Sequence, residues 1–138
     1  MRSLRRHCTL LAAGAALVLS GCGTTEAPEN SAASGERITV TDSRGTELTL
    51  DGPAEKVVGL EWGVTEHLVA LGVMPVGAAD AEGYGNWVSA EPLDDSVTDV
   101  GVRGEPSIDA IAALAPDLVV ADAGLPAAAV TQLERSSR

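Results

Sequence analysis

The 138-residue sequence contains no Phe, one Tyr and two Trp. Aliphatic side chains must therefore fill any core, and each ring is scarce enough to suggest a particular task. Basic residues are scarce too: nine Lys and Arg stand against twenty Asp and Glu. Three of the nine, Arg2, Arg5 and Arg6, lie at the N-terminus. From Cys22 onward six basic residues face all twenty acids, and six minus twenty gives a formal charge of −14. Nucleic acid, whose phosphates need a basic footprint, is thereby excluded as a partner. Electrostatic attachment to an anionic membrane is excluded on the same ground. Most of these carboxylates read as solvated surface.

Two Cys are present, Cys8 and Cys22. Arg2, Arg5 and Arg6 followed by the apolar run Leu10 to Leu19 have the form of a secretory signal, and the run is too short for a membrane span. It ends in Leu19-Ser20-Gly21-Cys22, which resembles a bacterial lipobox. The expected organisation is a lipoprotein signal peptide at 1–21, a flexible tether at 22–35 and a domain at 36–138. Cleavage leaves Cys22 first and lipidated, so the membrane is reached through lipid. Each buried methylene contributes about 0.8 kcal/mol, so two or three acyl chains hold where one is marginal. The rest of the chain then has no second thiol, which excludes a disulfide and a thiolate metal site. The tether is rich in Thr, Glu, Pro, Ser, Ala and Gly and has little to bury.

Arg37 to Thr41 and Thr46 to Leu50 alternate in strand fashion around the turn Asp42-Ser43-Arg44-Gly45. Lys56 to Leu60 reads as a short apolar strand. A helix is expected from Thr65 to Leu71, ended by Gly72. Pro75 to Ala79 reads as a buried strand, Asp80 to Ser96 as a long polar loop, and Val97 to Val100 as a brief strand. Ser107 is a suitable N-cap for a helix to Leu114, with Asp109 in its first turn and Pro116 as its stop. Asp117 to Ala121 reads as a further buried strand, and Pro126 opens a last helix. Strands alternating with helices predict an α/β fold: a doubly wound, mostly parallel sheet covered on both faces. The chain ends soon after that helix, with no strand to receive it, so the fold is expected to be truncated.

In such sheets ligands sit beyond the carboxyl ends of the strands. Trp62, Tyr84, Trp87 and Arg103 all follow predicted strands, so their loops are expected at one edge. Arg103 lies in Val100-Gly101-Val102-Arg103-Gly104-Glu105-Pro106. Its planar fork of N–H donors suits carboxylate, hydroxamate or phosphate oxygens; the simpler alternative is a surface ion pair with Glu105 or a nearby Asp. The three rings suit stacking on an apolar or conjugated ligand, or anchoring of their loops. Glu61, His67 and Asp80 have the chemistry of hard metal ligands, but His67 is the only His after the signal and no zinc-like spacing supports a site; it reads as an exposed helix residue. No GxGxxG, GxxxxGK[ST] or GxSxG pattern occurs, and neighbouring acids such as Asp94 and Asp95 need not converge. Binding without catalysis is the expectation.

The segments Lys56-Val57-Val58-Gly59-Leu60-Glu61-Trp62, Trp87-Val88-Ser89, Asp99-Val100-Gly101-Val102-Arg103, Glu105-Pro106-Ser107 and Pro116-Asp117-Leu118-Val119-Val120 carry a family resemblance. Together they resemble the N-terminal lobe of ABC-transporter solute-binding lipoproteins for ferric siderophores, nearest to the ferric hydroxamate-binding group. The resemblance runs from about Ile38 to Glu134. It implies one lobe of a two-lobe protein that holds a ferric siderophore and delivers it to an ABC permease at the extracytoplasmic face of the cell membrane. It further implies that Arg103 meets iron-bound hydroxamate oxygens, that Trp62 and Trp87 line the pocket with Tyr84 adjacent, and that Asp109 docks on the permease. No metal ligands are implied, because the iron keeps its siderophore oxygens. The loop Asp122-Ala123-Gly124-Leu125 lacks a Tyr found in the hydroxamate pattern, so ferric citrate and mixed carboxylate-hydroxamate cargoes stay open. Haem, cobalamin or another cofactor-sized ligand is the alternative within the binding class. A cell-surface enzyme or an inert fragment is the alternative outside it.

Overall fold

The computed structural model describes residues 36–136. The segments expected to be a signal peptide (1–21), a lipidation site (Cys22) and a tether (22–35) lie outside the described residues.

The first two strands, β1 (Ile38–Thr41) and β2 (Glu47–Leu50), form an antiparallel hairpin with Ile38 opposite Leu50 and Thr41 opposite Glu47. Its turn is held by Asp42, whose carboxylate accepts from the backbone N–H of Arg44 at 2.8 Å and of Thr46 at 2.9 Å. This is the local bonding for which Asp is favoured in turns. The same carboxylate pairs with the Arg44 guanidinium at 2.6 Å, and Arg44 reaches Glu134 at 2.9 Å.

A four-stranded sheet follows. Its strands are β3 (Val57–Gly59), β4 (Gly77–Ala78), β5 (Thr98–Asp99) and β8 (Leu118–Val120), in spatial order β5-β4-β3-β8 with every pair parallel. Between them in the chain lie α1 (Trp62–Ala70), α2 (Ala81–Trp87) and α3 (Ile108–Leu114), and α4 (Ala127–Ser136) comes last. The predicted α/β parallel sheet is present, and its order changes direction at β3 and β8. The sheet's interior is aliphatic, as the shortage of rings requires. Val58, Leu60, Ala79, Val100 and Ile111 form the buried cluster, with Leu114, Val119 and Leu133 packed against it.

Two contacts fix the sheet and its first helix. The Asp117 carboxylate accepts from the backbone N–H of Glu55 at 2.8 Å and of Lys56 at 3.0 Å, joining the entry to β8 to the entry to β3. Gly59 lets α1 lie close on β3: a Cβ there would come 2.4 Å from Thr65 Oγ1.

The prediction differs from the structure in three places. The helix expected from Thr65 begins at Trp62, because the Glu61 side chain caps it, accepting from Gly63 N–H at 2.7 Å. The loop expected from Asp80 to Ser96 contains α2, capped by the Asp80 side chain, which accepts from Gly83 N–H at 3.3 Å. The segment around Arg103 is a small hairpin, β6 (Gly101–Val102) against β7 (Glu105–Pro106), with Arg103-Gly104 as its turn. The helix predicted from Ser107 is found as α3, its hydroxyl accepting from Ala110 N–H at 3.2 Å. Among the described residues no helix is long and apolar enough to cross a membrane.

Candidate functional site

The carboxyl ends of adjacent parallel strands open onto one edge, and three of them supply the site. Glu61 and Trp62 come directly after Leu60 at the end of β3, Asp80 follows β4, and Arg103 crowns the hairpin after β5. The hairpin is fixed to the sheet by backbone bonds: Asp80 N–H donates to Gly101 O at 2.6 Å, and Ser107 N–H donates to Val100 O at 2.7 Å. Asp99 reinforces it, its carboxylate accepting from Gly101 N–H at 2.8 Å and from Ala81 N–H at 2.9 Å. These contacts aim a loop-borne Arg from a rigid base.

The Arg103 guanidinium carbon lies 3.9 Å from the centre of the Trp62 ring. Its Nη1 donates to Glu61 Oε1 at 2.6 Å, and its Nε is 4.0 Å from Asp80 Oδ2. Trp62 is itself oriented, since its Nε1–H donates to the Asp80 carbonyl at 3.2 Å. Gly83 leaves the necessary space: a Cβ there would lie 2.6 Å from the Trp62 ring and 2.5 Å from the Asp80 carboxylate. The guanidinium is held by an aromatic face and a carboxylate, yet its side chain remains 42% exposed. Cation–π contact of this kind contributes roughly 0.5–2 kcal/mol, more as water is excluded. Among the described residues nothing bonds Nη2, which leaves an open donor edge for an incoming oxygen.

Burial pushes the Glu61 carboxyl up, but hydrogen bonds from Gly63 N–H, Arg103 and Trp62 N–H outweigh it, and the group is held below the ordinary carboxylate range. It is therefore a carboxylate at neutral pH, already partnered.

The structure brings Trp62 and Arg103 together. Tyr84 does not reach the rim. It is buried to 0% exposure inside α2, and its hydroxyl donates to the Glu91 carbonyl at 2.5 Å. Burial, with the nearby carboxylates of Glu66 and Glu91, raises its pKa further. This is the placement of the loop-anchoring alternative that the sequence offered for the ring. Trp87 ends α2 with 79% of its surface exposed. Asp109 is exposed in the first turn of α3, and His67 is exposed on α1. Among the described residues no group of three or more His, Cys, Asp or Glu is placed to hold a metal ion.

Sequence reasoning missed Glu61 and Asp80 as partners of Arg103, having looked for an ion pair among its neighbours. The available signal was positional: each stands at the first turn beyond the carboxyl end of β3 or β4, and parallel pairing puts those turns side by side.

The geometry now meets its relatives. The family model for periplasmic binding proteins matches residues 57–137, and the chain belongs to this family. Its members are solute-binding proteins. The chain is 46% identical over 69 residues to the iron(3+)-hydroxamate-binding protein FhuD of Escherichia coli, covering 50% of this chain and 23% of FhuD. It is 36% identical over 108 residues to the probable siderophore-binding lipoprotein YfiY of Bacillus subtilis, covering 77% of this chain and 33% of YfiY. The crystal structure of the siderophore-binding protein FhuD from Vibrio cholerae, bound to Fe3+-Desferal, superposes with a TM-score of 0.56 at 36% identity, covering 60% of this chain and 31% of that one. The chain thus spans a quarter to a third of the length of these relatives.

Proposed function

We propose that this chain forms the N-terminal lobe of a binding site for a ferric siderophore, with hydroxamate cargo favoured, and serves iron uptake through an ABC permease. One observation carries the reading: an exposed guanidinium stacked on Trp62, with an open donor edge, at the carboxyl end of a parallel sheet. A ferric hydroxamate presents a ring of polarised oxygens on an apolar body, and these match donor and aromatic face respectively. The likeness to proteins named for iron(3+)-hydroxamate and siderophore binding supports the same reading.

In this proposal residues 1–21 are a lipoprotein signal peptide, 22–35 a tether and 36–138 the lobe. Cys22 carries the lipid that keeps the lobe at the extracytoplasmic face of the membrane. Arg103 and Trp62 form the centre of the ligand surface, Trp87 extends it, and Asp109 docks on the permease. The protein carries cargo without transforming it, and the iron stays in its siderophore shell. A haem reading is not favoured: the Tyr84 hydroxyl is buried and bonded to the Glu91 carbonyl, so it is badly placed as an axial ligand.

The test is titration of the chain with ferric desferrioxamine, followed by intrinsic Trp fluorescence. Saturable quenching that weakens in Arg103→Gln supports the proposal. Recovery of a chemically altered siderophore would contradict it.

A further inference from the structure

The edge that carries Arg103 is otherwise acidic. Glu61 follows β3, Asp80 follows β4, Asp99 ends β5 and Asp122 follows β8, while Arg103 is the one Lys or Arg in these four connections. Two of those carboxylates flank the guanidinium directly, Glu61 at 2.6 Å and Asp80 at 4.0 Å. The cluster of Arg103, Glu61 and Asp80 therefore has a formal charge of −1.

This balance discriminates between ferric complexes by net charge. An anionic carboxylate ligand that pairs with Nη1 must displace Glu61 Oε1, leaving that oxygen without its cation beside the incoming charge while Oε2 keeps only its bond from Gly63 N–H. Unpaired like charges at such separations are costly, and burial worsens the cost. A complex in which three hydroxamates neutralise Fe3+ brings oxygen dipoles without net charge. It can accept from the open Nη2 edge while Glu61 keeps its bond. A pendant ammonium on the cargo gains from the surrounding acids.

We infer that Glu61 is a specificity-determining residue that biases this site towards ferric complexes of zero or positive net charge and against polycarboxylate complexes. The inference rests on the siderophore reading above and adds a charge class to it.

The experiment compares two probes on the 138-residue chain. Ferric desferrioxamine carries one pendant ammonium, and ferric dicitrate is a polyanion. Dissociation constants for both are measured with wild type and with Glu61→Gln, whose amide oxygen can still cap α1. Wild type is expected to favour ferric desferrioxamine by at least about tenfold, and Glu61→Gln to shrink that preference by about tenfold, chiefly by tightening ferric dicitrate. Binding of both probes with a ratio unchanged within about twofold would overturn the role of Glu61 and leave siderophore binding standing. A folded chain that binds neither probe at millimolar concentration would remove the siderophore reading and the selectivity with it. If Glu61→Gln does not fold, the wild-type ratio at rising salt decides: screening should shrink it, and a constant ratio overturns the inference.

Discussion

Arg103 and Glu61 lie 42 positions apart in the chain, yet Nη1 of one donates to Oε1 of the other at 2.6 Å. The bond closes a cluster whose members come from three strand ends. Glu61 both caps α1 and holds the guanidinium against Trp62, so one carboxylate joins the scaffold to the Arg103–Trp62 pair.

The Trp62 ring should matter through two contacts. Trp62→Ala removes the platform under Arg103 and the donor to the Asp80 carbonyl, and ferric desferrioxamine binding should weaken by about tenfold or more. Trp62→Phe keeps a ring and loses only the N–H, so it should retain an intermediate affinity. Titration calorimetry on the three chains orders them.

Tyr84 should behave as a structural residue. Tyr84→Phe leaves the ring buried and breaks the bond to the Glu91 carbonyl, and it should cost about 1–2 kcal/mol in urea unfolding. Ligand affinity should stay within about twofold, because no part of the ring is exposed. A large loss of affinity at unchanged stability would return Tyr84 to the ligand surface.

Gly59 and Thr65 should be coupled. Gly59→Ala places a methyl 2.4 Å from Thr65 Oγ1 and should destabilise the sheet by about 1–3 kcal/mol. Thr65 is buried and, among the described residues, its hydroxyl has no hydrogen-bond partner, so Thr65→Ala removes the clash at little polar cost. The double variant should recover part of the loss, and a strictly additive double-mutant cycle would refute the packing argument.

These residues also show what the sequence made readable. The hairpin, α3 and the last strand were legible because alternation, the Ser107 cap and the run Leu118-Val119-Val120 are local signals. The helix α2 was not, since Ala81-Glu82-Gly83-Tyr84-Gly85-Asn86-Trp87 holds two Gly and no apolar repeat. Its Asp80 cap adopts φ 53°, and burial of Tyr84 and the fit of Gly83 beneath Trp62 are tertiary facts. Arg103 and Trp62 were identified as candidates from type and position. Their mutual stacking, and the partnership with Glu61 and Asp80, depend on parallel pairing across long separations and could be anticipated only from the shared sheet edge.

Acid should weaken the fold partly through Glu61. Its folded-state pKa is depressed, so its contribution is present above the unfolded value near 4.5 and is lost as pH falls through the folded value. Urea midpoints measured downward from pH 6 should fall below about pH 4.5. Glu61→Gln should flatten that decline without abolishing it, because Asp42 is depressed as well, first through its bond from Thr46 N–H. An identical pH profile in wild type and variant would exclude Glu61 as a contributor.

The most direct test of the account is the affinity of ferric desferrioxamine for wild type and for Arg103→Gln, with far-ultraviolet circular dichroism confirming that both are folded. The account predicts saturable binding by the wild type and at least about tenfold weaker binding by the variant, since a charged donor to the cargo oxygens is lost. Equal affinity in the two proteins would contradict it and move the ligand surface away from the Arg103–Trp62 pair.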